Sequence, residues 1–131
     1  MKRYWDSSAL VDAIHDARIE KKAVERDQWT RLHTLSEVFS TLTGGRLGFQ
    51  YLPDDAAELI REISAGFRFV DLEAAEIHSA LAEAQKRGVR GGRVHDWLHA
   101  VAAKKAQVAE LVTDNTSDFR GLEDGFTIAL P

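Results

Sequence analysis

The sequence has no cysteine among its 131 residues, which excludes disulfides and thiolate metal sites. No apolar run approaches the roughly 20 residues that a membrane span needs. The basic start is interrupted by Asp6 before any long apolar stretch, so we predict neither a signal peptide nor a membrane anchor. Without disulfides or a leader, the composition favours a cytoplasmic location.

An excess of positive charge is also missing. Lysine and arginine total 17 against 21 aspartates and glutamates, for a net charge of −4. A protein that binds nucleic acid only through its overall charge is usually basic, so that class is disfavoured. An enzyme that places several carboxylates in one pocket, with a local basic rim beside them, remains compatible with this balance.

Short β-type segments alternate with helix-type patterns along the whole chain. The predicted strands are "RYW", "WTRLHT", "FRFVDL", "AELVT" and "FTIAL". The predicted helices are "DSSALVDAIHDA", "TLSEVFSTLTGG", "PDDAAELIREISAG", "EAAEIHSALAEAQKRG" and "VHDWLHAVAAKKAQ". This alternation predicts one α/β domain over residues 1–131, with a mostly parallel sheet of four to five strands flanked by helices.

Local signals suggest where some of these helices begin and end. Ser7 or Ser8 is expected to cap the first helix. Thr34 is expected to cap the next one, where Glu37 completes a capping box, and Gly44 and Gly45 close it. The segment "DNTSDF" is predicted to be a polar turn.

Acidic residues recur where strands end and helices begin. They are Asp6, Glu37, Asp96, Asp114 and Asp118. In α/β folds the working site lies at the carboxyl ends of the strands, so these acids are expected to converge there. Converging carboxylates are tolerated when a hard cation neutralises them, and Mg²⁺ or Mn²⁺ prefers oxygen ligands. The pattern therefore predicts a Mg²⁺ or Mn²⁺ site able to hydrolyse a phosphodiester.

A basic, glycine-rich loop precedes Asp96 in the segment "QKRGVRGGR". It carries Lys86, Arg87, Arg90 and Arg93. Arginines on a flexible loop suit contacts to a phosphate backbone, so we expect this loop to hold the phosphate chain of the substrate. An ordinary solvated surface is the other interpretation of the same residues.

Each acid also has a purely structural interpretation. Asp6 could be a helix N-cap, and Glu37 could serve only the capping box. Asp96 could serve only the dipole of its helix, while Asp114 and Asp118 could be ordinary turn residues. The shared placement at one end of one sheet favours the functional interpretation.

The histidines offer a competing prediction. His95 and His99 in "HDWLH" have the spacing of a zinc-protease helix, with Asp96 where that motif has glutamate. A third ligand is needed, and His15, His33 and His78 are available, but none falls in a recognised downstream motif. We expect His95 and His99 to be partly exposed or to lie on the rim of the acidic site. A zinc hydrolase using them is the weaker alternative.

The chain resembles PIN-domain proteins, specifically VapC-type toxin ribonucleases of type II toxin–antitoxin pairs. The matching pieces, in family order, are "YWDSSALVD", "HTLSEVFSTLTG", "GGRVHDWLHAVAAKKA" and "ELVTDNTSDF". Residues 48–92 match mainly in their helix and strand pattern. The resemblance implies a Mg²⁺- or Mn²⁺-dependent endoribonuclease, a VapB-like antitoxin as partner, and a homodimer.

The resemblance also assigns roles to residues. Asp6, Glu37 and Asp96 match the first three metal acids. Asp118 is the first choice for the fourth acid and Asp114 is the alternative. Three further residues match supporting positions: Ser8, which orients the first acid, Thr113, and Asn115, which stands where many relatives have aspartate. The alternative in this fold is a scaffold without activity that binds RNA or protein.

Overall fold

Seven helices surround a five-stranded sheet in the computed structural model, which describes residues 1–131. The strands are β1 (Arg3–Trp5), β2 (Gln28–Arg31), β3 (Arg68–Val70), β4 (Glu110–Val112) and β5 (Thr127–Ala129). The helices are α1 (Ser7–His15), α2 (Ala17–Ala23), α3 (Leu32–Gly44), α4 (Pro53–Ser64), α5 (Ala74–Ala82), α6 (Arg93–Ala106) and α7 (Thr116–Phe119). The predicted α/β class is confirmed.

All strand pairs are parallel, and the strand order is β3-β2-β1-β4-β5. The chain builds the sheet outward from β1 in one direction, then returns to add β4 and β5 on the other side. A crevice opens at the carboxyl ends of the strands where the order reverses, here between β1 and β4. The residues that follow these two strands are Asp6 and Thr113.

Neighbouring residues of β1 face opposite sides of the sheet, as alternation along a strand requires. Tyr4 belongs to a buried cluster that includes Trp97 and the alanines of α6. Trp5 belongs to a second cluster, formed with α1, α3 and α4. The alanine-rich stretch of α6 packs closely on the sheet, because Ala102 and Ala103 are fully buried. This close approach brings the first half of α6 to the end of β1.

Several predicted boundaries are wrong, and the reasons are local. Asp6, not Ser7 or Ser8, caps α1. Helix α3 begins at Leu32, so Thr34 lies inside the helix and forms no capping box. Gly45 does end α3, in a left-handed conformation with φ of 76° that favours glycine.

Two further segments also differ from the prediction. Part of the expected polar turn is the short helix α7. Helix α5 ends at Ala82, well before Gly88, which has a left-handed φ of 68°. No helix in the chain combines the length and apolar character that crossing a membrane requires.

Candidate functional site

Asp6 lies directly after β1 and is almost fully buried. Its Oδ1 accepts hydrogen bonds from the backbone N–H of Ala9, at 2.9 Å, and from the hydroxyl of Ser8, at 2.7 Å. Its Oδ2 accepts one from Thr113, at 2.5 Å. Burial raises the pKa of Asp6, and these bonds, together with the potential of His99, oppose that shift. The carboxyl group is therefore held in one orientation by Ser8, Thr113 and the backbone of Ala9.

Asp96 is half-buried in the first turn of α6. Its pKa is raised by burial and by the negative charges of Asp118 and Asp6, while His99 and Arg93 act in the opposite direction. Mutual repulsion of this kind requires the carboxylates to be near one another. Asp118, exposed on α7, is therefore near enough to Asp96 for its charge to act on that carboxyl group, and its role as the fourth acid stays a prediction.

Glu37 is connected to the core through a histidine. Its Oε1 accepts a hydrogen bond from Nε2 of His99 at 2.8 Å, and Nδ1 of His99 lies 2.7 Å from the hydroxyl of Tyr4. Burial would raise the pKa of Glu37, but the bond from His99 and the potential of three nearby imidazoles lower it overall. Glu37 is therefore an ionised carboxylate with a fixed Oε1, and the capping-box interpretation of this residue is wrong.

Asp114, the alternative fourth acid, is close to a different carboxylate. Its backbone N–H donates to Ser8 Oγ at 3.0 Å, and its side chain faces Asp12 on α1. Burial, a hydrogen bond with Asp114 and repulsion raise the pKa of Asp12 to about 7. Both acids line a depression with a volume of about 510 Å³. Asn115 also borders this depression and makes no side-chain cap for α7.

The candidate acids form an open arrangement and not a tight cluster. The one group of three potential ligands whose donor atoms lie within 4.8 Å of one another is His33, Glu37 and His95. An open set of oxygens still fits Mg²⁺, which usually keeps several waters and takes one or two carboxylates directly. The donors offered by Asp6, Glu37, Asp96 and Asp118 are all oxygens, and the repulsion at Asp96 is what a cation would relieve.

The basic loop divides into residues with and without structural partners. Arg87 lies over the ring of Trp97, 5.2 Å from its centroid, and 3.7 Å from Asp124. Arg93 donates to the backbone oxygen of Arg120 at 3.0 Å and lies near Asp96. Lys86 and Arg90 are exposed. Arg87 is thus engaged away from the acids, whereas Arg90 is free to meet a ligand.

The predicted histidine pair does not form a metal site. His99 is 3% exposed and both of its ring nitrogens are engaged, one by Tyr4 and one by Glu37. The expectation that His99 is partly exposed is wrong, and it has no nitrogen left for an ion. His95 is exposed at the rim, as expected, and its ring stacks near that of His33 at 6.4 Å between centroids.

Sequence reasoning overlooked Tyr4, Asp12 and Arg46, and it considered His33 only as one of three histidines available as a third zinc ligand. Arg46 lines both the depression beside Asp114 and the depression beside Glu37. One signal was available for His33, since it precedes Glu37 by four residues and so shares its helix face. Nothing in the sequence pairs Tyr4 with His99, because 95 residues separate them.

No protein-family model matches the chain, and no curated protein matches it in sequence. Among solved structures, the chain is similar to the crystal structure of PAE2754 from Pyrobaculum aerophilum. The TM-score is 0.69 with 18% sequence identity, over 98% of this chain and 89% of that one. At this identity the likeness establishes a shared fold across nearly the full length.

Proposed function

We propose that the chain is a metal-dependent endoribonuclease of the PIN-domain type, the toxin of a VapC-like toxin–antitoxin pair. The observation that carries the proposal is Asp6. It is buried at the carboxyl end of the central strand, and its carboxyl group accepts three hydrogen bonds, from Ser8, Thr113 and the N–H of Ala9. A helix cap alone needs one such bond. Burying a carboxyl group beside Asp96 has a clear purpose if the two hold a cation.

The oxygen donors favour Mg²⁺ or Mn²⁺ as that cation. Asp6 and Asp96 would bind it directly, Glu37 directly or through water, and Asp118 would complete the set. When bound, such an ion supplies a water that is easily deprotonated and stabilises the charge on the leaving oxygen. We place Asp118 ahead of Asp114 because Asp118 acts on Asp96, whereas Asp114 pairs with Asp12.

Glu37 is suited to take a proton from the attacking water. One of its oxygens is held by His99, so the other is presented in a fixed direction. The hydroxyl of Tyr4 stays protonated, because burial raises its pKa far above the usual range. In the arrangement we propose, it donates to Nδ1 of His99, and the ring carries a proton on Nε2 that Glu37 accepts. The core would then fix the orientation of the proposed base.

RNA is the substrate class that fits a polar crevice with a basic rim. The depression beside Glu37 has a volume of about 440 Å³ and no hydrophobic residue in its lining. Arg46 borders it from one side. Arg90 and Lys86 are exposed on the loop before α6 and would contact flanking phosphates, while Arg93 would act close to Asp96. Arg87 is not among these proposed RNA contacts, because its side chain is engaged by Trp97 and Asp124.

A VapB-like antitoxin would cover the same crevice, with an arginine directed at the acids. The exposed Asp118, and the pair of Asp12 and Asp114, offer negative charge for that contact. The homodimer that the resemblance implies stays a prediction. Light scattering of the purified chain measures its mass directly and tests it.

The test of the nuclease is cleavage of end-labelled single-stranded RNA with EDTA, Mg²⁺ or Mn²⁺. Wild type should cleave only with a divalent ion, and Asp96→Asn should lose cleavage by at least about a hundredfold. Asp55→Asn, which removes an exposed acid from the first turn of α4, is the matched control and should cleave normally. Melting curves complete the test, because an ion that binds only the folded chain raises its Tm.

The same experiment separates the alternative function. RNA binding without cleavage, together with a Tm that neither Mg²⁺ nor Mn²⁺ changes, would identify a scaffold. A Tm shift that persists in Asp96→Asn would mean that the ion sits elsewhere, and would overturn the assignment of the acids.

A further inference from the structure

A second constellation lies beside the acids, on the facing sides of two helices. His33 and Glu37 are four residues apart on α3 and so share one face. His95, in the first turn of α6, faces them. The donor atoms of these three side chains lie within 4.8 Å of one another. The two imidazole planes are 15° from parallel.

The three side chains are available as ligands. His33 and His95 are exposed, in contrast to His99, so their ring nitrogens reach solvent. Glu37 uses one oxygen for His99, and the other is free. The bond from His99 also fixes the orientation of Glu37, which is how outer partners usually support a ligating carboxylate. The site therefore has two movable donors and one that is already held in place.

The donor set determines which ion fits. Two imidazoles and one carboxylate suit Zn²⁺ and neighbouring transition metals, whereas Mg²⁺ avoids nitrogen ligands. At bond lengths of about 2.0–2.1 Å, ligand atoms of a tetrahedral Zn²⁺ lie about 3.3 Å apart. Donors that start within 4.8 Å of one another close to that spacing through rotamer changes of two exposed imidazoles. Water would take the fourth position.

We propose that His33, Glu37 and His95 form a binding site for Zn²⁺ or a similar transition-metal ion, next to the oxygen-lined crevice and sharing Glu37 with it. The sequence-derived alternative paired His95 with His99 on the same helix. The proposed site instead combines His95 of α6 with His33 and Glu37 of α3. It does not depend on the nuclease proposal, because His33 and His95 take no part in holding the acids Asp6 and Asp96.

The test is calorimetric titration of Zn²⁺ into the chelator-stripped full chain, without Mg²⁺, because Glu37 belongs to both proposed sites. Wild type should bind one equivalent. Loss of even an outer partner of a ligand costs about 10–100-fold in metal affinity, so removal of a direct ligand in His33→Ala or His95→Ala should weaken binding by at least about tenfold. His78→Ala, an exposed histidine on α5, is the matched control and should bind as wild type does.

A second readout and a second variant keep the outcomes distinct. Co²⁺ in place of Zn²⁺ should give the visible absorption of a nitrogen- and oxygen-ligated ion in wild type and in Asp96→Asn, but not in His33→Ala. Equal Zn²⁺ affinity in His33→Ala, His95→Ala and His78→Ala would overturn the proposal. So would Zn²⁺ binding that Asp96→Asn abolishes and His33→Ala retains, because the ion would then belong to the acids.

Discussion

The hydroxyl oxygen of Tyr4 lies 2.7 Å from Nδ1 of His99, in the buried layer directly beneath the acidic crevice. Tyr4 comes from the central strand and His99 from the second turn of α6. The opposite ring nitrogen of His99 bonds Glu37 on α3. One imidazole thus connects the core of the sheet to a candidate catalytic carboxylate, and it does so from a position that solvent does not reach.

Tyr4→Phe tests this connection. The change leaves Nδ1 of His99 buried without a donor, which costs about 1–3 kcal/mol of stability. Urea denaturation measures this loss of stability.

Tyr51→Phe is the matched control for Tyr4→Phe. Tyr51 bonds His15 at 2.9 Å on the exposed side of the molecule, so its removal should cost no more than about 1 kcal/mol. Equal stability losses in the two variants would contradict the role given to the Tyr4 hydroxyl.

Asp6 is both the N-cap of α1 and a candidate metal ligand, and two substitutions separate these roles. Asp6→Asn keeps a side-chain oxygen for the N–H of Ala9, so α1 stays capped. Asp6→Ala removes the cap as well, at about 1 kcal/mol. Both variants should lose cleavage and the Tm shift with Mn²⁺. In EDTA, Asp6→Ala should melt at a lower temperature than Asp6→Asn.

This pair of variants has a clear contrary outcome. If Asp6→Asn kept the Mn²⁺-induced Tm shift and normal cleavage, Asp6 would be a helix cap alone. The acidic crevice would then need a different first ligand.

The pair of Asp12 and Asp114 predicts a pH-dependent stability. The pKa of Asp12 is about 7 in the folded chain and about 3.9 in an unfolded one. The folded state therefore binds more protons between about pH 4 and pH 7, and its stability falls as pH rises through that window. Asp12→Asn removes the titrating group, so its Tm in EDTA should exceed that of wild type at pH 8 by more than at pH 5.

Asp55→Asn controls for the loss of one negative charge and should not reproduce this pH-dependent difference. If Asp12→Asn lowered the Tm by the same amount at pH 5 and at pH 8, Asp12 would not share a proton with Asp114.

The basic loop predicts different outcomes for two of its arginines. Arg90→Ala should weaken binding of single-stranded RNA and reduce the salt slope of the binding constant by about 0.7, the value for one phosphate contact. Fluorescence anisotropy on an Asp96→Asn background measures this without cleavage. An unchanged slope would remove Arg90 from the interface.

Arg87→Ala should leave the salt slope unchanged and lower stability instead. Its contact with the ring of Trp97 contributes about 0.5–1 kcal/mol at a partly exposed position. Thermal melting measures that loss. A reduced salt slope of RNA binding in Arg87→Ala would mean that this residue does contact RNA.

Much of the fold was predictable because its signals are local. The alternation of strand and helix patterns led to a parallel α/β sheet, and that topology alone places Asp6 at the edge where β1 ends. Two wrong predictions concern helix starts, where more than one nearby residue could serve as the N-cap. Ser7 and Ser8 are good caps, but Asp6 precedes them and accepts the N–H of Ala9. Thr34 resembles a cap, but α3 starts two residues earlier, because Arg31 is still paired in the sheet.

The sequence by itself determined the fold class, the order of the elements and the placement of acids after parallel strands, since periodicity and chain order carry that information. Only the tertiary structure decided which partner each side chain has. His99 became a buried link between Tyr4 and Glu37, Arg87 joined Trp97, and His33 met His95. These contacts join residues 10 to 95 positions apart in the chain, so they depend on how α3 and α6 pack against the sheet, which no local pattern encodes.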